Sequence, residues 1–212
     1  MYTPPLFQED RLPILHEAIR SARLATLVTL GGEGLEASHV PVLLEATEGP
    51  FGTLYGHFSR SNPQGQGSAR DIQSLAIFMG PDAYVTPAWY ATKQKTGKVV
   101  PTWNYVAVHA YGTLEVFDEA DRLRRLVTRL TERHEAKRAQ PWAVSDAPAD
   151  YIATMLKGIL GFRLPVDRLQ GKWKMSQNRD AEDRAGVVAG LNAEGGPDEA
   201  AVAAIMAGDP ER

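Results

Sequence analysis

The sequence predicts a mostly β fold with peripheral helices, an α+β protein whose strands form an antiparallel barrel or sandwich. Short stretches rich in β-branched residues recur along the chain, turn residues separate them at hairpin spacing, and few helical patterns lie between them. With 212 residues and an ordinary apolar content, the chain can bury a sizeable core in one large or two small domains.

The first element is a short helix, predicted over Asp10–Ser21. Leu12, Leu15 and Ile19 recur at helical spacing, and the aspartate at the start of the segment can cap the first turn. Pro13 is compatible with this helix only because it lies in that first turn. Beyond it the apolar pattern changes to the alternation of strands.

Strands make up most of the next part of the chain. The predicted strands are Leu24–Leu30, Leu35–Leu44, Thr53–His57, Ser74–Met79, Ala83–Val85, Thr102–Leu114 and Ile159–Val166. The glycine-rich turn Gly31–Gly34 joins the first two into a hairpin, and Phe58–Gly67 is a polar turn between the third and fourth.

Two helices are predicted between the last strands. Asp118 is a good N-cap, and one apolar stripe behind it contains Leu123, Leu126, Val127 and Leu130. The opposite face carries five arginines among four acids, so we interpret it as a solvated, ion-paired face rather than a DNA-contacting one. The second helix is predicted over Asp146–Lys157.

The C-terminal part of the chain is predicted to differ from the rest. Residues 1–170 carry the strands and peripheral helices, whereas residues 171–212 begin with a polar strand or loop and continue as short helices. The helices, Asp180–Leu191 and Pro197–Ala207, are rich in Ala and Gly. We expect this segment to pack on the barrel or on a partner.

Composition excludes several classes of site. The chain has no cysteine, which excludes disulfides, thiolate metal sites and a cysteine nucleophile, and fits a reducing cytoplasm. Its N-terminus lacks the pattern of a signal peptide. The net charge of −3 argues against extensive phosphate contact by a monomer.

Common catalytic and metal motifs are missing. There is no phosphate loop of the Walker type, no strand-linked GxGxxG, no HExxH and no GxSxG elbow. Of the five histidines, His39, His57 and His109 fall on predicted strands. Their spacing does not support a shared metal, so we expect no metal site and interpret them as core or partly exposed side chains.

An aromatic stretch, Gly80–Gly112, and three polar clusters are the candidate site. Pro87 and Pro101 precede the aromatic clusters and hold them on extended backbone, which fits either a β core or a flat wall for a planar heteroaromatic ligand. The polar clusters are Ser38-His39, Gly56–Pro63 and Lys172–Arg179. Their cations, hydroxyls and amides, together with the aromatic walls, would suit a phosphorylated planar cofactor.

Seven motifs occur along the chain in this order: YTPPLF, SHVP, GHFSRSNP, GPDAYVTPAWY, VPTWNYVAVHAYG, MLKGILGFRL and GKWKMSQNR. On these motifs the chain resembles the PaiB family of FMN-binding negative transcriptional regulators, from about Tyr2 to about Leu191. The resemblance implies a split-barrel flavin-binding fold, similar to pyridoxamine phosphate oxidase, over residues 1–170. It also implies FMN in a cleft between the two subunits of a homodimer.

The resemblance implies a set of cofactor contacts. The turn His57–Asn62 and the block Lys172–Arg179 would contact the flavin and its phosphate, and Thr102-Trp103-Asn104 would line the isoalloxazine. With the first polar cluster, the candidate residues are Ser38, His39, His57, Ser59, Arg60, Ser61, Asn62, Thr102, Trp103, Asn104, Lys172, Trp173, Lys174, Gln177 and Arg179. No residue stands out as catalytic, although His39 or His57 could act as an acid or base.

Three functions follow as hypotheses. The first is an FMN-binding protein of PaiB type that regulates transcription negatively, and the second is a flavin-dependent oxidoreductase acting on a small molecule. The third is a DNA-binding module that uses the arginine-rich helix, although the sequence has no helix-turn-helix pattern and an acidic balance. Haem or another tetrapyrrole is a minor variant, because other split barrels use such ligands by resemblance.

Overall fold

Two units make up the chain in the computed structural model, which describes residues 1–32, 34–67 and 72–208. The first unit combines Met1–Ala18, Met79–Val108 and Gln170–Arg212, and the second combines Ile19–Phe78 and His109–Leu169. Each unit therefore joins segments that are distant in sequence.

The strands are β1 (Gln8–Glu9), β2 (Ala25–Gly31), β3 (Gly34–Val40), β4 (Val42–Glu45), β5 (Thr53–Ser59), β6 (Gln73–Val85), β7 (Thr102–Thr113), β8 (Glu115–Phe117), β9 (Ile159–Pro165) and β10 (Arg168–Lys174). The helices are α1 (Leu12–Ser21), α2 (Gln64–Gly67), α3 (Ala91–Thr96), α4 (Ala120–Glu135), α5 (Ala149–Leu156), α6 (Ala181–Glu194) and α7 (Pro197–Gly208). Short 3₁₀ turns occupy Pro5–Phe7, Pro87–Trp89 and Val144–Asp146.

The second unit is built on antiparallel strands. The predicted hairpin forms β2 and β3, in register from Ala25↔Val40 to Gly31↔Gly34, and β6 pairs with the other edge of β2. Residue 33, in the turn between β2 and β3, lies outside the described residues. A four-stranded sheet has the order β4-β5-β9-β8. The alternation of apolar residues therefore predicted this part of the chain correctly.

Helices α4 and α5 cover an apolar cluster of the second unit. The buried members of this cluster are Leu43, Phe117, Leu123, Leu126, Leu130, Val144, Ile152 and Leu156. The predicted stripe of α4 thus supplies three of its core side chains. Burial of such a stripe, rather than helix propensity alone, stabilises a helix of this length.

The starts of α4 and α5 differ from the prediction. The N-cap of α4 is Glu119, not Asp118, and its side chain makes no capping bond. Asp118 instead accepts hydrogen bonds from Arg60, a residue 58 positions away. The helix predicted from Asp146 begins only at Ala149, because a proline, Pro148, favours an extended conformation in the residue before it.

The first unit contains the strand order β1-β10-β7-β6 and the C-terminal helices. The predicted strands Ser74–Met79 and Ala83–Val85 are one strand, β6, which begins in the second unit and ends in the first. Strand β1 pairs with β10 through Gln8↔Lys172 and Glu9↔Gly171.

Helices α6 and α7 are packed parts of the first unit. Asp180 caps α6 by accepting a hydrogen bond of 2.8 Å from the backbone N–H of Asp183. A Cβ on Gly190 would lie 2.3 Å from the ring of Trp89, so only glycine permits this close approach. The absence of a side chain at Gly190 therefore lets the C-terminal segment pack closely against the Pro87–Trp89 turn.

Candidate functional site

The predicted site residues fall into two groups, one in each unit. The first unit holds Thr102, Trp103 and Asn104 together with Lys172, Trp173, Lys174, Gln177 and Arg179. The second unit holds Ser38, His39, His57, Ser59, Arg60, Ser61 and Asn62. Within each unit the fold brings residues together that are distant in sequence.

Lys172 and Lys174, which we call the lysine pair, dominate the electrostatics of the first group. They lie two positions apart on β10, so both side chains point to the same face of the strand. The ammonium group of Lys172 donates a 3.1 Å hydrogen bond to the carbonyl oxygen of Tyr2 and lies 5.2 Å from the ring centroid of Tyr105. Lys174 donates to the hydroxyl of Thr102 and, at 2.8 Å, to the carbonyl oxygen of Trp103.

The lysine pair has no carboxylate partner among the described residues. Lys172 is only 8% exposed, and Lys174 is partly buried. Burial, followed by the like charge of Lys172, lowers the pKa of Lys174. Two neighbouring cations that are poorly hydrated and uncompensated favour an anion as their missing partner.

Aromatic side chains accompany the lysine pair in the first unit. Tyr84 and Trp103 meet edge to face, with ring centroids 5.8 Å apart and an angle of 66° between the rings. Both remain about half exposed. The backbone carbonyl of Trp103 accepts from Lys174, so the strand β7 that carries this exposed ring is hydrogen-bonded to a cation on β10.

Other predicted contacts in the first unit are occupied by the protein itself. Asn104 is fully buried, with its amide nitrogen 3.4 Å from the sulfur of Met206 and its carbonyl accepting a 3.1 Å bond from Ser176. Trp173 is also buried. Gln177 follows β10 and folds back on it, donating to the carbonyl of Trp173 and accepting from the backbone N–H of Met175.

Arg179 likewise has a partner within the unit. Its guanidinium lies 4.4 Å from the ring centroid of Tyr90, a side chain that is 1% exposed. This cation–π contact helps hold the segment after β10 in place. Of the eight predicted residues of this unit, Trp103 is exposed. The partly buried ones are Thr102, Lys174, Gln177 and Arg179, and the buried ones are Asn104, Lys172 and Trp173.

The second group surrounds a cavity of about 700 Å³, which we call the β3–β5 cavity. Its polar wall contains Ser38, His39, His57, Ser59 and Asn62. Its apolar wall contains Val40, Pro41, Phe58, Met155 and Ile159. The volume lies in the usual range for small-molecule sites.

Asn62 is held firmly in the polar wall. Its amide nitrogen donates a 2.8 Å hydrogen bond to the hydroxyl of Ser38, and its amide oxygen accepts a 3.0 Å bond from the backbone N–H of Gln64. Ser59 and Ser61 hydrogen-bond each other through their hydroxyls at 2.8 Å. The turn after β5 is thus tied to β3 by side chains.

His57 is the titratable group with unused capacity in this wall. Its Nδ1 is buried and makes no hydrogen bond with any side chain or backbone group of the described residues. Burial lowers the pKa of the imidazole, so His57 is neutral near pH 7. His39 is exposed, and its Nδ1 lies 3.0 Å from the hydroxyl oxygen of Thr26.

Arg60 has several partners within the second unit. Its Nε donates a 2.8 Å bond to the carbonyl oxygen of Lys157, and its terminal nitrogens reach Asp118 at 3.3 and 3.4 Å and the carbonyl of Ile159 at 3.4 Å. Its backbone N–H donates to the carbonyl of Gly158 at 2.8 Å. Arg60 therefore connects the turn after β5 to the end of α5, and its predicted contact with FMN stays a prediction.

The arginine-rich face of α4 is partly neutralised. Arg122 pairs with Glu119 at 3.4 Å, and Arg129 pairs with Glu45. Arg133 donates to two backbone carbonyls, one of them at 2.8 Å. These contacts agree with the interpretation of an ion-paired surface and leave few of its arginines for phosphate contacts.

Some site residues could not be identified from the sequence. Met155 and Ile159 line the β3–β5 cavity, and Tyr2 contacts Lys172 through both its carbonyl and its ring. The motifs YTPPLF and MLKGILGFRL contain these residues, and their membership in these motifs was the one signal in the sequence that pointed to them. Periodicity alone predicts which face of an element a residue occupies but not its neighbours.

The donor set fits FMN. The lysine pair supplies the positive charge that a phosphate dianion requires, and Trp103 supplies an aromatic surface in the same unit. Among the described residues, no group of three or more His, Asp or Glu side chains could hold a metal ion. No helix in the described part of the chain is both long and apolar enough to cross a membrane.

Comparison with known proteins places these features in context. The model of the family described as "Putative FMN-binding domain" matches residues 1–168. The chain is similar to protein AN0679 of Emericella nidulans, with 36% identity over 90% of each chain. It is also similar to the protease synthase and sporulation protein PAI 2 of Bacillus subtilis, with 31% identity over 97% of this chain and 96% of the other.

Among solved structures, the chain is similar to the FAD and heme binding protein of Mycobacterium smegmatis. The TM-score is 0.57 with 18% identity, covering 89% of this chain and 80% of the other. At this identity the similarity shows the fold alone. It confirms the predicted fold class, a mostly β, antiparallel protein of the split-barrel flavin-binding type with peripheral helices.

Proposed function

This chain belongs to the FMN-binding family that its motifs predicted, with FMN as its cofactor, and we propose that it acts as a homodimeric negative regulator of transcription in the cytoplasm. Support for the regulatory role comes from the similarity to PAI 2, whose name assigns it to protease synthesis and sporulation. Support for the dimer comes from the family resemblance.

The observation that carries the cofactor assignment is the lysine pair. Lys172 and Lys174 are two partly desolvated cations on one strand face with no carboxylate partner in the described part of the chain. A bound phosphate would replace the missing counter-charge and accept charge-assisted hydrogen bonds from both ammonium groups. We therefore assign the FMN phosphate to the lysine pair.

The role of the protein around the cofactor follows from the same contacts. When bound, FMN supplies hydride or single-electron transfer. Thr102 and the carbonyl of Trp103 orient the ammonium group of Lys174, so this cation is fixed before the phosphate arrives. Trp103 offers an aromatic surface on which a planar ring can stack.

An absorption spectrum of the freshly purified protein tests the cofactor assignment. We expect flavin bands at near-stoichiometric amounts, or their appearance after FMN is added and the excess removed. Light scattering on the same sample should give the mass of a dimer. A protein that takes up no FMN under these conditions would contradict the assignment.

Binding to promoter DNA tests the regulatory role separately. Direct regulation requires binding whose affinity falls steeply with salt, because phosphate contacts release counterions. The ion-paired face of α4 is not the expected contact surface, since Arg122 and Arg129 already have carboxylate partners. Undetectable binding at low salt would remove direct DNA contact from the proposal and leave the flavin assignment untouched.

A second function is supported by one specific observation. His57 lines the β3–β5 cavity, and burial lowers the pKa of its imidazole, so it is a neutral ring that can accept a proton. This favours a flavin-dependent oxidoreductase acting on a small molecule as the alternative. Consumption of NADH or NADPH by the loaded protein would support it, and no turnover with any electron acceptor would refute it.

A further inference from the structure

The segment Tyr2–Glu9, which contains the motif YTPPLF, is anchored on the strand that carries the lysine pair. Its end forms β1, which pairs with β10 through Gln8↔Lys172. A Cβ on Gly171 would lie 2.6 Å from the carbonyl oxygen of Glu9, so the two strands approach this closely because position 171 is glycine. The segment is therefore fixed to the backbone beside Lys172.

Two consecutive prolines stiffen the path from β1 back to Tyr2. Pro4 lies at φ −54° and ψ 145°, and the 3₁₀ turn Pro5–Phe7 follows it, with the N–H of Phe7 donating a 2.9 Å hydrogen bond to the carbonyl of Pro4. Proline also restricts the residue before it, Thr3, to extended backbone. Because Tyr2 is 84% exposed, its position is set by this backbone rather than by burial of its ring.

Two tyrosine rings, which we call the tyrosine clamp, flank the ammonium group of Lys172. Its Nζ lies 5.6 Å from the ring centroid of Tyr2 and 5.2 Å from that of Tyr105, and both distances are within the range of cation–π attraction. The same nitrogen donates a 3.1 Å hydrogen bond to the carbonyl oxygen of Tyr2. The stem of a lysine is flexible, so these three contacts hold a cation that would otherwise be mobile.

The tyrosine clamp holds Lys172 without neutralising it. Aromatic faces attract a cation but leave its charge in place. An ammonium group has three N–H donors, and among the described residues the carbonyl of Tyr2 is the one acceptor that Lys172 reaches. Two donors and the positive charge therefore remain for a phosphate. Little side-chain entropy is lost when the phosphate binds, because the cation is already held.

We propose that Tyr2 and Tyr105 are positioning residues that hold the ammonium group of Lys172 for the FMN phosphate. The tyrosine clamp thereby sets the preference for FMN over riboflavin, the same flavin without the phosphate. This role rests on the proposed function, since it requires the phosphate at the lysine pair. A purely structural role of the segment would instead change the affinity for both flavins by the same factor.

Affinities for the two flavins test this role. Fluorescence quenching gives the dissociation constants of FMN and riboflavin, and the ratio of the riboflavin constant to the FMN constant measures the preference. Tyr2→Ala should lower this ratio about three- to tenfold, the effect of one cation–π contact, by raising the dissociation constant of FMN alone. Tyr105→Leu should do the same. Tyr2→Phe and Tyr105→Phe keep the rings and should retain the ratio of the parent protein.

Control variants separate the clamp from the rest of the segment. Leu6→Ala should leave the ratio unchanged, because Leu6 is 53% exposed in the same segment and is not among the described polar and ring contacts of Lys172. In Lys172→Met, which has already lost the cation, adding Tyr2→Ala should change the ratio no further. Thermal melting shows which variants are folded. If Tyr105→Leu does not fold, the exposed Tyr2 decides the test alone.

The outcomes distinguish the clamp from the phosphate assignment. A ratio that Tyr2→Ala leaves unchanged while Lys172→Met lowers it would overturn the role of the clamp and leave the phosphate assignment standing. Equal weakening of both flavins by Tyr2→Ala would also overturn it, since that result indicates a structural role. If Lys172→Met and Lys174→Met both keep the ratio of the parent protein, the phosphate assignment is wrong, and the role of the clamp is wrong with it.

Discussion

Replacing Lys174 by Met should lower FMN affinity while leaving the free energy of unfolding of the apoprotein nearly unchanged. Lys174 is partly buried beside Lys172 and has no carboxylate partner in the described part of the chain. Methionine keeps most of the length of the side chain and removes its charge. The substitution therefore distinguishes a ligand-binding cation from a structural one.

The contacts of Lys174 determine the expected changes in FMN affinity and in the free energy of unfolding. A charge-assisted hydrogen bond to phosphate is worth about 1.5–3 kcal/mol, so the dissociation constant should rise about 10- to 150-fold. In the apoprotein the variant loses the bonds to Thr102 and to the carbonyl of Trp103, each worth about 0.5–1.5 kcal/mol. Removal of a desolvated charge next to Lys172 offsets this loss, so the net change should stay within about 1.5 kcal/mol.

Two measurements on the same preparation decide the outcome. Fluorescence quenching on FMN titration gives the dissociation constant, and urea unfolding of the apoprotein gives the free energy of unfolding. Lys98→Met is the matched control, because Lys98 is exposed in the same unit and should change neither quantity. If Lys174→Met binds FMN as the parent does, the phosphate site lies elsewhere.

Three further predictions concern stability. Gly190→Ala should lower the free energy of unfolding by about 1–3 kcal/mol, since the added Cβ would lie 2.3 Å from the ring of Trp89. Burial lowers the pKa of His57 and of His109, so the unfolded chain takes up protons at a higher pH than the folded protein does. The free energy of unfolding should therefore fall as the pH drops below about 6.5, and His57→Asn should reduce the slope of this fall. Arg60→Ala should lower the free energy of unfolding by about 1–2 kcal/mol, measured in urea, because it removes hydrogen bonds to two carbonyls.

Each of these has a control. Gly208→Ala is the reference for Gly190→Ala, because a Cβ on Gly208 would meet nothing within 4 Å. For His57→Asn, parallel pH profiles of variant and parent between pH 5 and 8 would show that His57 does not contribute. For Arg60→Ala, FMN affinity of the folded fraction is compared with that of the parent, and an unchanged value assigns Arg60 to structure alone.

Local patterns were sufficient for most elements of the fold. The β2–β3 hairpin was predictable because alternating residues and a glycine-rich turn specify it within a few positions. The apolar stripe of α4 was predictable for the same reason. The predicted start of α4 was wrong by one residue. Asp118 pairs with Arg60, and neighbouring sequence alone cannot predict a pair between residues so far apart.

The sequence by itself determined the strands, the family motifs and the types of polar residue available for a site. Only the tertiary structure decided which of them can meet a ligand. It buries Asn104 against Ser176 and Met206 and brings Lys174 to Thr102, a residue 72 positions away. Such contacts depend on the order of strands in a sheet. The periodicity of a single strand specifies a face but not a neighbour.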